Sequence, residues 1–376
     1  MKITIVAGAR PNFMKIAPII KELNHLKKKG NNVEYRLIHT GQHYDPKMSS
    51  EFFLQLGIPH PDINLECGGG SQAEQTAAIM IKFEKELINN KPDIVIVVGD
   101  VTSSMACAIT AKKLCIDVAH VEAGIRSGDM NMPEEINRMV TDSISDYFFT
   151  TTTTASNNLE SENIMANRIH LVGNTMIDTL IQNIEKIRRP SFLKENEHYF
   201  LLTLHRPSNV DNISNLDTLL SAISQFTKDI SVIFPVHPRT KNIIDSKKLS
   251  YKNIIMVDPQ GYLEFIYLIK NSKGIITDSG GITEEATYLH IPCLTMRNTT
   301  ERPETVTIGT NELIGNDLVK LKKYIQQIID NKWKQGSVPI FWDGKTSKRI
   351  VQKINSIYKD EIIKKEYNIL MNEPAV

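Results

Sequence analysis

Several short segments of this chain are apolar at every position, and helix-like segments separate them. The clearest is Ile94-Val95-Ile96-Val97-Val98, a run that no polar residue interrupts. A strand that covers one face of a core alternates apolar and polar residues, whereas an uninterrupted apolar strand is buried on both faces. Such strands are typical of parallel sheets that helices cover on both sides. The pattern therefore predicts an α/β fold built from right-handed βαβ units.

The strand and helix alternation occurs twice along the 376 residues, a length that suggests two domains. We predict one Rossmann-like domain over residues 1–174 and a second over residues 175–344, facing each other across a cleft. A helical segment from Thr175 to Arg188 would connect them. Residues 345–376 are predicted to form a C-terminal helix and tail, with the helix packing back on the first domain.

Composition excludes several classes of protein. The formal net charge of +1 gives no long-range attraction to nucleic acid or to an anionic membrane. No apolar run approaches the roughly 18 residues of a membrane span, and no signal-peptide pattern is present. The four cysteines form no CxxC pair and show no zinc-ligand spacing, and we expect Cys107, Cys115 and Cys293 to be small buried residues. These features predict a soluble cytoplasmic protein without a metal site.

The turn after the first strand reads Gly8-Ala9-Arg10-Pro11. It matches neither the GxGxxG dinucleotide fingerprint nor the GxxxxGK[ST] phosphate loop. It places Arg10 at a helix start and Lys15 one turn later, where both cations would favour a bound anion. The alternative is an ordinary strand-to-helix turn with solvated basic residues.

Carboxylates follow the next strands. Asp100 comes directly after Ile94–Val98, Glu122 ends the following strand, and Glu134 opens a helix. Carboxylates gathered at one sheet edge have pKa values pushed apart, which acid–base chemistry requires. The alternatives are that Asp100 caps a helix and that Glu134 and Glu135 only stabilise a helix dipole, the role we favour for Glu135.

In the second half, strands end at His205 and His237. His205 is a candidate phosphate ligand or proton carrier, and His237 is interpreted as structural. A further strand leads into Ser279-Gly280-Gly281 and then a helix, an arrangement whose backbone N–H groups cradle phosphates. Glu285, one turn into that helix, is placed to reach ribose hydroxyls. Together with the donor-rich segment 296–304, these turns predict a nucleoside diphosphate site.

These residues carry a resemblance to a known family. The motifs His120-Val121-Glu122-Ala123-Gly124, Pro133-Glu134-Glu135-x-Asn137-Arg138 and Asp278-Ser279-Gly280-Gly281, with the loop around Arg302, occur in a specific order and spacing. The chain resembles the non-hydrolysing UDP-N-acetylglucosamine 2-epimerases over nearly its whole length. The resemblance implies a GT-B-like fold, a homodimer, and conversion of UDP-GlcNAc to UDP-ManNAc for surface polysaccharide.

The resemblance also implies residue roles. The family eliminates UDP to give 2-acetamidoglucal and adds it back on the other face, with no metal or nicotinamide cofactor. Its catalytic carboxylates match Asp100, Glu122 and Glu134, to which we add His205 as a catalytic candidate. Its substrate and UDP ligands match a set that spans both halves of the chain: Arg10, Lys15, His205, Ser279, Gly280, Gly281, Glu285 and Arg302.

Many family members bind a second UDP-GlcNAc as an allosteric activator. The matching positions here are Gln42, His43, Arg206 and His237. Asp45 stands where those members have Gln, and the segment 68–71 lacks their Arg, so the sequence leaves allosteric activation open.

Three other activities remain as alternatives. A relative that epimerises a 2,3-diacetamido uronic acid linked to UDP fits the departures from the common family pattern. A hydrolysing epimerase would release ManNAc and UDP. A GT-B glycosyltransferase is a weaker alternative, because the first half shows no amphipathic membrane-facing segment. A UDP-sugar-binding regulator would have no use for three catalytic carboxylates.

Overall fold

The computed structural model describes residues 1–42, 53–195, 197–247 and 249–372, with the backbone alone at 207–208, 238–239 and 360–372. The chain forms two compact units. Unit 1 comprises Met1–Thr179 together with Phe341–Val376, and unit 2 comprises Leu180–Ile340. Both units are layered α/β structures, so the predicted fold class is confirmed.

Unit 1 contains a seven-stranded parallel sheet in the order β3-β2-β1-β4-β5-β6-β7. The order reverses between β1 and β4, and β4, the Ile94–Val98 run, is buried at every position. The strands are β1 Lys2–Ala7, β2 Glu34–His39, β3 Ile63–Asn64, β4 Ile94–Val98, β5 Asp117–Ala123, β6 Tyr147–Thr150 and β7 Ile169–Leu171.

Helices flank this sheet. Much of the core lies under two of them, where Ile79 and Phe83 pack with Cys107 against the central strands. The helices before the connection to unit 2 are Arg10–Lys28, Gln72–Asn89, Thr102–Lys113, Pro133–Ile144 and Thr153–Ser161, followed by the 3-10 turn Ala166–Arg168.

Unit 2 contains a six-stranded parallel sheet in the order β10-β9-β8-β11-β12-β13, which reverses between β8 and β11. Its strands are β8 Tyr199–Thr203, β9 Ser231–Pro235, β10 Ile254–Val257, β11 Gly274–Thr277, β12 Cys293–Thr295 and β13 Asn311–Leu313. Its helices are Pro207–Val210, Ile213–Thr227, Pro238–Ser246, Tyr262–Lys270, Gly280–Tyr288, Pro303–Thr307 and Leu318–Ile329.

The C-terminal helix Thr346–Asn372 belongs to unit 1 and packs on helix Arg10–Lys28, as predicted. Its start is fixed by the buried carboxylate of Asp178, which accepts hydrogen bonds from the backbone N–H groups of Thr346 and Ser347 and from the Ser347 hydroxyl. Asp178 lies on helix Thr175–Asn183, which is followed by the 3-10 turn Ile184–Lys186. The predicted connecting helix is thus shorter than its pattern suggested.

Two details differ from the sequence predictions. Cys115 is exposed in the turn after helix Thr102–Lys113, with a left-handed φ of 54°, whereas Cys107 and Cys293 are buried as expected. The helix after Ser279 begins at Gly280, so the glycines form its first turn instead of a loop before it. Among the described residues, no helix has the length and apolarity needed to cross a membrane.

Candidate functional site

Each sheet has one switch point, where neighbouring strands lead to helices on opposite sides of the sheet. In unit 1 it lies between β1 and β4, whose carboxyl ends lead into the Gly8 turn and the Gly99–Asp100 turn. In unit 2 it lies between β8 and β11, which lead into the His205 turn and the Asp278–Gly281 turn. Ligands of open α/β sheets bind at such points. The candidate residues therefore occupy the expected position in each unit.

The Gly8 turn is held by Asn12, a residue without an assigned role in the sequence analysis. The Asn12 Oδ1 accepts hydrogen bonds from the backbone N–H groups of Gly8 and Ala9 at 2.9 and 3.0 Å. Its Nδ2 donates to the Val98 carbonyl at 3.1 Å. One buried amide thus joins the ends of β1 and β4 and fixes the start of the helix that carries Arg10 and Lys15.

Glu122 has an unusual backbone. Its φ is +74°, and the pairing of β5 with β6 shifts register between Val121 and Ala123. Such a bulge redirects a side chain at a strand end, and left-handed conformations of non-glycine residues concentrate at functional sites. The Glu122 carboxylate forms a buried ion pair with the Lys15 ammonium, and both lie against Gly99, where a Cβ would stand 2.7 Å from Lys15 Nζ.

Asp100 belongs to a second ion-paired group. Its carboxylate contacts the Arg138 guanidinium at 2.5 Å, and Arg138 also pairs with Glu135 at 2.6 Å. Glu135 accepts hydrogen bonds from the backbone N–H groups of Ser127 and Gly128. Burial acts to raise the pKa of Glu135, but these bonds and Arg138 lower it overall. Asp100 does not cap the following helix, whose N-cap Val101 makes no side-chain bond.

A buried network of hydrogen bonds and ion pairs fixes the position of strand β5. The His120 ring lies between two acceptors, Asp142 Oδ1 at 2.6 Å from Nδ1 and the Gly99 carbonyl at 2.9 Å from Nε2. Arg126 pairs with the other oxygen of Asp142 at 2.7 Å. Burial acts to raise the pKa of Asp142, but its interactions with His120 and Arg126 bring that pKa below the usual value. The network ties the Gly99–Asp100 turn to helix Pro133–Ile144.

The remaining candidate residues of unit 1 do not belong to the ion-paired groups described above. Arg10 is partly exposed at the first position of its helix. Glu134 is exposed, and it makes no hydrogen bond or ion pair to any part of the chain that the structure describes. Gln42 accepts hydrogen bonds from the N–H and hydroxyl of Ser103. His43 and Asp45 lie outside the described residues.

In unit 2 the buried carboxylate of Asp278 organises the His205 turn. It accepts hydrogen bonds from the backbone N–H groups of His205 and Arg206 and from the Asn209 amide. It also pairs with His205 Nδ1 at 2.8 Å, although the His205 side chain is 58% exposed. Burial raises the pKa of Asp278, but these donors outweigh it and the pKa falls. The His205 ring is thus oriented with its other nitrogen directed away from Asp278.

The Ser279–Gly281 turn opens helix Gly280–Tyr288 without a side-chain cap. The N–H of Ser279 donates to the Thr277 hydroxyl at 3.0 Å. A Cβ on Gly281 would meet nothing within 4 Å, whereas one on Gly280 would stand 2.5 Å from Glu301 Oε1. The helix N-terminus therefore faces open space at Gly281, where an anion can approach the backbone closely.

Of two neighbouring acidic residues in this helix, one is paired with a cation and the other has no ion pair within the described residues. Glu284 pairs with the buried Arg302 at 2.5 Å. Glu285 is buried, and its Oε1 has no hydrogen-bond partner within the described chain. Burial and the nearby charge of Glu284 raise the pKa of Glu285, whereas a Tyr262 hydrogen bond lowers it. The net result is a pKa of about 8. Glu285 is therefore a largely protonated buried acid at neutral pH.

The remaining allosteric candidates also lie in unit 2. Arg206 is partly buried, and its Nε donates to the Asp278 carbonyl at 3.1 Å. His237 is exposed just before helix Pro238–Ser246. Arg206 is thus part of the His205 turn itself.

Sequence reasoning assigned no roles to Asn12, Arg138 or Asp278, although each organises a candidate turn. For Asn12 and Arg138, the position in the predicted helix indicated the contact. Asn12 stands at the third position of a helix, where a side chain reaches back to the preceding turn. Arg138 follows Glu135 by three residues, a spacing that brings helical side chains together.

Known proteins of one family resemble this chain in both sequence and structure. The family model described as UDP-N-acetylglucosamine 2-epimerase matches residues 24–355. The UDP-N-acetylglucosamine 2-epimerase of Methanocaldococcus jannaschii is 44% identical over 94% of this chain and 98% of its own. Its crystal structure, with UDP-GlcNAc and UDP, superposes with a TM-score of 0.83, covering 95% of this chain and all of the other.

A second relative has a different substrate in its name. The UDP-2,3-diacetamido-2,3-dideoxy-D-glucuronate 2-epimerase of Pseudomonas aeruginosa is 39% identical over 84% of this chain and 88% of its own length. Both relatives are 2-epimerases of UDP-linked amino sugars, and the family model covers most of both units. From its sequence, its two parallel sheets and these matches, the chain belongs to the UDP-N-acetylglucosamine 2-epimerase family of isomerases.

Proposed function

We propose that this protein interconverts UDP-GlcNAc and UDP-ManNAc, a step that supplies precursors for surface polysaccharide. The observation that carries the proposal is the Glu122–Lys15 pair at the switch point of unit 1, beside the turn that bears Asp100. A buried carboxylate on a strained backbone is costly, and a family enzyme that moves a proton has a use for it. The M. jannaschii relative, whose crystal structure is a complex with UDP-GlcNAc and UDP, supports this choice of substrate.

The chemistry explains why several ionisable groups are needed. The hydrogen at C2 is not adjacent to a carbonyl, so simple removal and return of this proton is too unfavourable. We propose that a carboxylate takes the C2 proton, the C–H electrons form the C1=C2 double bond, and the C1–O bond to UDP breaks. UDP then adds back to 2-acetamidoglucal while a second group protonates the opposite face of C2. Asp100, Glu122 and Glu134 are our candidates for these transfers.

Unit 2 is assigned the nucleotide. The open helix N-terminus at Ser279–Gly281 suits the diphosphate, and the exposed His205 is placed to hydrogen-bond or protonate a departing phosphate. The buried Glu285 has an oxygen available for a ribose hydroxyl. Arg302 completes the proposed nucleotide ligands of unit 2, and we propose Arg10 and Lys15 of unit 1 as substrate ligands.

The proposed reaction uses UDP itself as the returning group and needs no metal or nicotinamide. Proton transfer and loss of a stable diphosphate leave the oxidation state of the substrate unchanged overall. Turnover should therefore be unaffected by EDTA and by the absence of NAD, and activity that required either would contradict this part of the proposal.

A second substrate is favoured by the P. aeruginosa relative, whose name specifies a diacetamido glucuronate. The same elimination would operate on that sugar, because the reacting C1 and C2 atoms are alike. The two sugars differ at C3 and C6, so a direct comparison of both UDP-sugars decides between them.

Proton NMR of the purified protein with UDP-GlcNAc in deuterated water tests the proposal. We expect UDP-ManNAc that carries deuterium at C2. Free ManNAc with UDP would instead identify a hydrolysing enzyme. No change with UDP-GlcNAc, but turnover of the diacetamido uronic acid, would establish the second substrate.

We also propose a homodimer. Helices Gln72–Asn89, Thr102–Lys113 and Pro133–Ile144 pack side by side in unit 1. The two outer helices expose apolar side chains, namely Ile81, Ile88, Ile136 and Met139. Large apolar side chains exposed on one group of helices favour a protein–protein interface there. Light scattering should show a dimer for the wild type and for the control Ile308→Lys, and a monomer for the double variant Ile136→Lys/Met139→Lys.

A cytoplasmic location is a further proposal. All four cysteines are free thiols, which a reducing compartment maintains. Cell fractionation should recover the protein with cytoplasmic markers, and recovery from the cell exterior would contradict this.

A further inference from the structure

Arg297 is a buried cation in unit 2 that the proposed function leaves unused. It follows strand β12, and only 8% of the residue is exposed. Its backbone is fixed on both sides, because its N–H donates to the Thr295 carbonyl and its own carbonyl accepts from Gly315. An arginine is never neutral in a protein, so its burial demands compensation.

The compensation is incomplete. The Arg297 Nη2 pairs with Glu301 at 2.7 Å. The Nη1 is buried and has no hydrogen-bond partner within the described chain. It lies 3.7 Å from where a Cβ of Gly280 would stand, at the first residue of helix Gly280–Tyr288. A buried donor without a partner costs free energy that a bound acceptor would recover.

Glu301 brings a negative group to the same place. Its Oε1 would stand 2.5 Å from a Cβ on Gly280, so the absence of a side chain there is what makes room for the carboxylate. A helix N-terminus favours negative charge. The Arg297–Glu301 pair thus sets a cation and an anion beside the proposed phosphate-binding turn.

We propose that Arg297 binds the diphosphate of the nucleotide, with Nη1 donating to a phosphate oxygen at the N-terminus of helix Gly280–Tyr288. Glu301 holds the guanidinium in position before the ligand arrives. This inference rests on the proposed binding of UDP by unit 2 and adds a specific phosphate ligand to it. The competing explanation is a purely structural ion pair, in which Arg297 and Glu301 matter equally.

Calorimetric titration of UDP and uridine separates these explanations. For Arg297→Gln we expect UDP affinity to fall by about tenfold to a hundredfold, the effect of losing one hydrogen bond to a charged group. Uridine affinity should stay within about twofold, because uridine has no phosphate. Arg297→Lys keeps the positive charge but loses the planar, forked guanidinium group. This variant should bind UDP several-fold more weakly. The matched control Arg189→Gln removes an exposed arginine of the same unit and should change neither affinity.

Glu301→Gln gives the sharpest contrast. If Arg297 serves the ligand, this variant loses less UDP affinity than Arg297→Gln, because Nη1 stays available and the amide that replaces the carboxylate can still accept from Nη2. A loss of UDP affinity equal to that of Arg297→Gln would establish the structural pair and overturn the proposal. Equal loss of UDP and uridine affinity in Arg297→Gln would overturn it as well. If Arg297→Gln does not fold, Arg297→Lys decides, and unchanged UDP affinity in that variant contradicts the proposal.

The inference can fail separately from the proposed function. A protein that binds UDP through Arg297 but does not epimerise UDP-GlcNAc would support the inference and contradict the reaction. A wild type that binds UDP no more tightly than uridine would overturn the inference even if epimerisation occurs.

Discussion

The switch points of the two sheets have the same topology but opposite chemistry. In unit 1 two of the three candidate carboxylates are held by cations: Glu122 by Lys15, and Asp100 by Arg138. In unit 2 the corresponding edge presents an uncapped helix N-terminus and a largely exposed histidine. Both edges contain paired charges, but the unit 2 edge also presents a helix N-terminus with open space for an anion at Gly281.

The two edges show how one architecture can serve two tasks. Proton transfer needs carboxylates that stay in defined positions and ionisation states, which buried ion pairs provide. Binding of a diphosphate needs free backbone N–H groups and close approach, which glycine provides at Gly281. We therefore assign the chemistry to unit 1 and the nucleotide to unit 2.

The largest expected effect is on turnover in unit 1. Glu122→Gln removes the ionisable group and keeps its shape, and we expect kcat to fall by about 10²–10⁴-fold, the usual contribution of acid–base catalysis. The matched control Glu84→Gln, an exposed position of the same unit, should retain wild-type kcat. A Glu122→Gln enzyme with more than a tenth of wild-type turnover would remove this carboxylate from the mechanism.

The next effect is on stability. Lys15→Met leaves Glu122 buried without its cation, and such changes cost about 3–5 kcal/mol of unfolding free energy. The double variant Lys15→Met/Glu122→Gln should recover most of the loss, because no unpaired charge remains. Urea denaturation of both variants measures the difference, and equal losses would show that the pair is not what stabilises this edge.

The Gly281→Ala substitution tests the open edge of unit 2. Its Cβ meets nothing within 4 Å, and alanine favours helix, so the melting temperature should not fall. UDP should bind about tenfold more weakly, since the methyl group would occupy the space where the phosphate approaches. Gly280→Ala, which crowds Glu301, should lower the melting temperature. Unchanged UDP affinity in Gly281→Ala would place the phosphate elsewhere.

The remaining effect is a pH dependence of stability that arises from Glu285. Its pKa rises from 4.5 to about 8 on folding, so the folded state holds its proton more tightly than the unfolded state. This group therefore lowers the stability progressively as pH rises from about 4.5 to 8. Glu285→Gln should gain stability relative to the wild type at pH 8 but not at pH 4.5. The neighbouring control Glu264→Gln should show no such pH-dependent gain.

Much of the fold was predictable from sequence, because uninterrupted apolar strands such as Ile94–Val98 leave few alternatives to a covered parallel sheet. The strand-end positions of Asp100, Glu122 and Ser279 followed from the same pattern. The short edge strands Ile63–Asn64 and Ile169–Leu171 were not predicted, since two or three residues carry no periodicity.

The partners of the site residues were harder to predict. The bulge at Glu122 depends on pairing with β6, and the Asp100–Arg138 contact joins residues 38 positions apart. The burial of Arg297 against Gly280 likewise depends on the packing of one loop over a helix start. Such contacts are set by tertiary structure and leave no local signal in the sequence.

If chemistry and nucleotide binding are separable, the substitution Asp100→Asn should abolish the first and spare the second. Turnover of UDP-GlcNAc and the dissociation constant for UDP should be measured on the same preparation. The account predicts loss of turnover with UDP affinity within about threefold of the wild type. Normal turnover, or a loss of UDP affinity that matches the loss of turnover, would contradict it.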